Sequence, residues 1–412
     1  MVFSKFNNKA GSFTVYASVI ASGMAVLIYA LISSAMTMYV EGVVPAMGRV
    51  HATAILAEYD TELYDRYGIM AFYGNESMVA GKLRQLQDYT FRDKNFIECE
   101  VDSIDIYSYS LADQNNLLEQ IKLCQIESFA TSVLGSSAQM ETSGESIGLE
   151  TGRKITSERI INTLPSAGRG TGGFLESITG VLMGIGSPSK LIKSGTDAFL
   201  LNKYIDSKFG DASRMPGSDR SYLLFEKEYI IAGKFSDAKN LSAVKHRIIT
   251  MREVVNLAFL ECDEKMRTEA TAIGQVLSLG SGGEVATQAV MATWAYLESL
   301  NDYELLINGK KVDGLKDHVS WAVDKDSMLN GWNGDYIEVD CPDGDTYSDY
   351  LDLLIYMLPQ DTKLLRIMDL IQINMRYYYR SDFLISDHNV GLDYSLLVNG
   401  KEYFFSDSYG KR

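Results

Sequence analysis

The chain has 412 residues, 46% hydrophobic and 22% charged, enough for one large domain or two ordinary ones with a real core. Its formal net charge of -16 repels phosphate backbones and excludes nucleic acid as a partner. Cys99, Cys124, Cys262 and Cys341 are scattered without a C-x-x-C, which excludes a zinc or redox motif and reads as buried thiols.

Lys5 and Lys9 precede a stretch, Ala10 to Val40, that carries no charge, and Glu41 follows it. A helix rises about 1.5 Å per residue and roughly 20 apolar residues cross a bilayer, so this run is long enough to span one. A secretory hydrophobic segment is only about 7–15 residues long, so a cleaved signal peptide fits poorly. Cleavage behind the small residues Ser33-Ser34-Ala35 is the alternative. With lysines before the span and an acid after it, the N-terminus is expected in the cytoplasm and the rest of the chain outside. The small residues Ala17, Ala21, Gly23 and Ala25 allow close helix approach in lipid.

Helix-compatible sequence continues past Pro45, a potential kink, to Phe72. Leu56, Tyr59, Leu63 and Tyr67 share one face, Glu62 and Arg66 are spaced to pair, and Gly68 is placed to cap. The expectation is a single long helix with an apolar first half and an amphipathic second half, the stem shape of pilin-like proteins.

Beyond it, Phe96 to Ser110 alternates as a strand, with a phase shift that suggests a bulge. Leu117, Ile121, Cys124 and Ile126 start an amphipathic helix, and Gly135–Gly148 and Pro165–Gly173 read as loops. "SYLLFEKEYIIAG", Ser221 to Gly233, reads as a strand or buried segment. Helices are then predicted along Leu241–Val255, from Asp263 to before Gly280, and from Glu284 to Leu300. Asn308-Gly309 predicts a hairpin turn. Two more helices, near Ser348–Leu358 and Asp361–Met375, are separated by Pro359, with Ser348 as the expected cap of the first. The run Arg376 to Arg380 reads as the wet end of a helix entering a strand, and Asn399-Gly400 predicts a second hairpin.

Motifs for chemistry are weak. "GIGSPSK", Gly184 to Lys190, lacks the second glycine with which a phosphate loop wraps its ligand, and reads as a helix start behind Pro188. The acids of Asp340 to Asp352 lack the order of a calcium loop and read as a solvated turn. No nucleophile elbow, zinc-protease motif or locally supported Cys/His pair is present, and nothing picks out a carboxylate pair. No catalytic residue, cofactor or metal is expected.

The opening "NNKAGSFTVYASVI" resembles the start of the TadE/TadG-like pseudopilins of Tad (type IVc-like) pilus systems, where a short basic leader ends in glycine just before the apolar helix. Gly11 matches that glycine and Ser12 the first mature residue. The family's glutamate at the fifth mature position falls on Tyr16, a departure. "AEYDTELYDRYGI", "RIINTLPS", "EYIIAGKFSDAKNL", "WAYLESLNDYELLINGKKV" and "DYLDLLIYMLPQDTKLLRIMDLIQINMR" are similar to an uncharacterised Firmicutes family of membrane proteins with such an N-terminus. The resemblance implies work at the outer face of a membrane beside a Tad-type machine. Its partners would be other components of the pilus or secretion apparatus, other pseudopilins among them.

The sequence therefore predicts a leader (1–11), a transmembrane and stem helix (12–72) and an extracytoplasmic domain (73–412). The fold class is α+β, mostly helical, with a small antiparallel sheet. The function expected is that of a structural or interaction protein, a minor pseudopilin or scaffold, and not of an enzyme. An anchored cell-envelope hydrolase using dispersed acids is the alternative.

Overall fold

A computed structural model of the protein describes residues 9–134, 152–169, 196–213, 221–278, 283–330 and 335–410. The expected loop Gly135–Gly148, the end of Pro165–Gly173 and the "GIGSPSK" stretch lie outside the described residues. The fold is α+β, with a long apolar N-terminal helix and a small antiparallel sheet.

The first helices are α1 (Lys9–Leu56), α2 (Thr61–Tyr67), α3 (Glu76–Phe91), α4 (Gln114–Leu134) and α5 (Glu158–Ile161). Next come α6 (Thr196–Lys208), α7 (Glu226–Ala232), α8 (Asp237–Cys262), α9 (Glu264–Leu277) and α10 (Gly283–Ile307). The last are α11 (Lys325–Asn330), α12 (Tyr347–Tyr356) and α13 (Gln360–Tyr378). The strands are β1 (Phe72–Tyr73), β2 (Cys99–Asp105), β3 (His388–Asn389), β4 (Gly391–Val398) and β5 (Lys401–Ser408). They divide into two compact units.

The first unit comprises Met1–Asp60, Ala71–Ser110 and Asp387–Arg412. Its sheet has the order β2-β4-β5, antiparallel throughout, and β1 pairs with β3. The predicted bulge lies between Val101 and Ser103. Asn399 and Gly400 both have positive φ, 51° and 79°, and join Val398 to Lys401 in a two-residue hairpin, as that dipeptide predicts. One face of the sheet buries Tyr394, Leu396, Val398 and Phe405 against Val40, Val44, Ala52 and Ile55 of α1. Burying side chains of this kind stabilises by about 1.5–3 kcal/mol each.

The α1 contacts recur every four residues at Val40, Val44, Gly48 and Ala52, a row that winds slowly around the helix and follows the twisted sheet. Gly48 is the closest crossing: a Cβ there would stand 2.1 Å from the Phe405 ring, and Tyr394 Oη donates to Gly48 O at 2.5 Å. Pro45 lies inside the helix, which continues through it.

α1 ends at Leu56, and Thr61–Tyr67 forms a separate helix, so the single rod expected to Phe72 is broken. The break is held by sheet-like contacts: Asp60 N–H donates to Ala71 O at 2.8 Å, and Tyr59 bridges Phe72. Gly68, φ +66°, closes α2 through its N–H to Tyr64 O, as expected of a cap.

The second unit comprises Thr61–Met70 and Leu111–Ser386. Helices α8, α9 and α10 pack on one another around Leu260, Met266, Ala270, Met291 and Trp294. The Trp294 indole donates to Val323 O at 2.7 Å, which gives this buried ring its polar partner. α13 is buried along Lys363–Met375 and contacts α7.

Two local expectations are corrected here and one is decided between its alternatives. Ser221–Gly233 is a buried segment and holds no strand; its core is α7, buried at all seven residues. At seven residues it is less than two turns long, too short for a period of 3.6 to show in its sequence. Asn308-Gly309 is no hairpin: α10 runs to Ile307, and Gly309 (φ +77°) donates to Leu306 O while Lys310 N–H donates to Leu305 O. That is a Schellman helix end, which needs the same positive φ that a hairpin does. The cap of α12 is Thr346, in a reciprocal capping box with Asp349, and Ser348 is buried inside the helix instead.

Candidate functional site

From Phe13 to Met38, α1 is exposed at every residue, and Phe13, Tyr16, Val26, Tyr29 and Met38 are each more than two-thirds uncovered. At about 1.5 Å per residue this stretch is about 39 Å long, against a hydrocarbon core of about 30 Å. Tyr39 is half-buried and Val40 buried, so the free part stops abruptly where the sheet begins. α1 is thus long and apolar enough to cross a membrane, and the apolar window is not buried by the fold. An apolar surface of this size on a free helix marks a partner surface or a lipid-facing one.

Gly11 and Ser12 fall in the opening turns of α1. Ala17, Ala21 and Ala25, four residues apart, form one row, with the slim Thr14, Ser18 and Ser22 beside it. Ser18 and Ser22 donate to the carbonyls of Val15 and Val19, so their polar atoms are satisfied within the helix. Gly23 lies on the opposite side of the helix and meets nothing within 4 Å. The four small residues named from sequence are therefore three plus one. Tyr16 is exposed on the helix, away from the row of alanines.

The second unit holds its chemistry-bearing groups in buried clusters that sequence reading did not find. Arg252 Nε donates to Asp302 at 2.9 Å, and Lys316 lies 2.7 Å from both Asp302 and Glu298. Arg252 further donates to Tyr350 Oη and to the carbonyls of Asp313 and Gly314. Two cations thus face two carboxylates with almost no solvent contact. Burial alone would raise Asp302, but Arg252 and Lys316 hold its pKa below the usual range.

In a second cluster Lys227 stands 2.8 Å from Asp206, 3.3 Å from Asp211 and 3.6 Å from Asp352, and donates to Ser348 Oγ. Burial pushes Asp352 up to about 6, although Lys227 opposes the shift. Its neighbour Glu228 accepts from Ala212 N–H and Tyr347 Oη, both at 2.9 Å, and is pushed up to about 8 by burial and by the charge of Asp211.

Arg66 reaches Glu226 at 3.6 Å and donates to Ser221 Oγ. Asn374 ties Glu226 to the Tyr67 hydroxyl. Lys363 donates to the Asn202 amide at 3.0 Å, and burial lowers its pKa to about 8.

Shifted acids of this kind occur in active sites when they line a cleft. Here they do not. The surface hollow of about 440 Å³ along Glu261–Gln275 and that of about 600 Å³ beside Asp263, Glu269 and His318 contain none of the strongly raised acids. Among the described residues no group of three or more His, Cys, Asp or Glu side chains is arranged to hold a metal ion. Arg376–Arg380 closes α13, where Tyr377 stacks on Tyr222 with centroids 3.7 Å apart.

A family of unknown function, DUF5702, matches residues 110–400, well over half of the chain. The chain belongs to DUF5702. Neither a curated protein nor a solved structure matches it. The DUF5702 segment begins after α1 and takes in the Arg252–Asp302–Lys316–Glu298 cluster and the Lys227 cluster, while Arg66 and Tyr67 lie before it. The free apolar helix lies outside it.

Proposed function

We propose that this protein is a membrane-anchored extracytoplasmic structural or interaction protein, a minor pseudopilin or scaffold of a Tad-like pilus or secretion apparatus. The observation that supports this most is α1: one helix whose first part is apolar and free, and whose second part lies along a three-stranded antiparallel sheet. A pilin-type stem has this build. Lys5 and Lys9 before the span favour a cytoplasmic N-terminus and an extracytoplasmic remainder. The row Ala17, Ala21, Ala25 offers a flat face on which another helix can settle in lipid. Tyr16 has no charge to offer a neighbouring amine, which favours a minor component over the main fibre subunit. The hydrolase alternative needs two facing carboxylates in an open cleft, whereas the most strongly raised acid, Glu228, is fully buried against Tyr347 and the Ala212 amide.

The test is the native protein in its own membrane. Protease added to intact protoplasts should remove the C-terminal part and spare the N-terminus. N-terminal sequencing should find Met1 or Ser12. A start after Ala35 would remove the anchor and the proposal with it.

A further inference from the structure

The geometry points to a lipid-binding seat at the foot of the first unit: the α3–β2 connection and the tip of the β4–β5 hairpin rest on phospholipid headgroups. This rests on reading α1 as a membrane anchor. The argument starts where the free helix ends. At Tyr39 the Phe96 ring packs edge-on at 5.9 Å and Lys94 Nζ stands 4.7 Å above the ring. Two residues on, Lys401 Nζ meets Glu41 at 2.9 Å. Asn399 donates to Phe96 O and accepts from Glu98 N–H, which locks the hairpin tip to the connection. Two chain segments far apart in sequence are therefore fastened together at one level of α1, directly beside the last free apolar turn.

If Phe13–Met38 fills the hydrocarbon, that level is the headgroup layer. The residues gathered there suit it. Tyr39 and Phe96 are aromatic, Phe96 is 37% exposed, and aromatic rings favour the membrane–water boundary. Lys94 and Lys401 have long stems that let an ammonium reach phosphate while the chain lies on apolar surface. There is no linker between span and sheet in which to lift the unit away, because α1 is one unbroken helix from Lys9 to Leu56.

The experiment uses the full-length chain in phosphatidylcholine/phosphatidylglycerol vesicles. Nitroxides are placed by Ile28→Cys, Phe96→Cys, Glu402→Cys and Tyr107→Cys, on a background of Cys99→Ala and Cys262→Ser; Cys124 and Cys341 are buried. Oxygen and a water-soluble nickel chelate then report depth. The expected result is hydrocarbon at residue 28 and bulk water at residue 107, beyond the far end of β2. Residues 96 and 402 should lie between, with a several-fold loss of nickel relaxation relative to 107. If 28 reads hydrocarbon while 96 and 402 match 107, the seat is wrong and the anchor stands. If 28 reads water, the anchor fails and the seat with it. Amine labelling of the unsubstituted protein gives an independent measure. Lys94 and Lys401 should be protected in vesicles relative to detergent and Lys82 should not; equal labelling of all three would overturn the seat.

Discussion

Glu228 is fully buried, and its pKa is raised from 4.5 to about 8. Between those values the folded state keeps a proton that the unfolded state loses, so stability falls as pH rises, by about 1.4 kcal/mol per pH unit. Below pH 4.5 both states hold the proton, and above pH 8 both release it, so the slope is confined to that window. The urea midpoint of the wild type should therefore drop between pH 5 and pH 8 by more than that of Glu228→Gln, whose amide stays neutral throughout. Equal pH dependence in the two proteins would contradict the burial argument. Asp352, raised to about 6, adds a contribution of the same sign that both proteins share.

The Arg252–Asp302–Lys316–Glu298 cluster gives a second prediction. Removing one partner of a buried pair leaves an uncompensated charge, so Arg252→Ala should cost about 3–5 kcal/mol. The double variant Arg252→Met/Asp302→Leu should recover part of that loss, since it removes charge from both sides. Denaturant unfolding of the three proteins decides it, and a double variant no better than the single would show that Arg252 acts through packing alone.

At the level of elements, the helix–sheet contact turns on Gly48. Gly48→Leu must displace the Phe405 ring or push α1 off the sheet, and overpacking of this kind costs about 1–3 kcal/mol. The pair Gly48→Leu/Phe405→Ala should be more stable than the sum of its single effects. Exact additivity, measured by thermal unfolding, would place the glycine's role elsewhere. Asn399→Val/Gly400→Val should also destabilise, by about 2–4 kcal/mol, because two β-branched residues would have to hold positive φ.

These elements also mark how far the sequence could be read. Asn399-Gly400 and Asn308-Gly309 are the same dipeptide with the same demand for positive φ at glycine, and only the following strand or the preceding helix decides which turn results. α8 and α9 were legible because each keeps one wet face, and α13 because Leu364, Met368, Ile371 and Met375 form an apolar stripe, although its polar residues are buried as well. α7 was not, because its seven residues make less than two turns. The contact row of α1, with a glycine and an alanine among its members, is inconspicuous inside an apolar run. The ionic clusters were invisible for another reason: Glu228, Asp302 and Lys316 look like any surface charges until distant segments bring their partners.

For the whole molecule the free helix dominates behaviour in solution. Phe13–Met38 exposes far more contiguous apolar surface than a soluble protein tolerates, so the full chain should remain in the membrane pellet after alkaline carbonate extraction and require detergent to stay dispersed. Release by carbonate would refute the span.

The unbroken course of α1 through Gly48 has a mechanical consequence. A tether of loose chain would absorb a pull as extension, at little cost, before any folded part felt it. Here a load on the first unit passes to the anchor as shear between α1 and β5, with no slack to take up. A twist or tilt of the rod in the bilayer is likewise delivered to the strands within one body. The link between anchor and sheet is a stiff shaft, and Phe405 over Gly48 is the key that keeps it from turning.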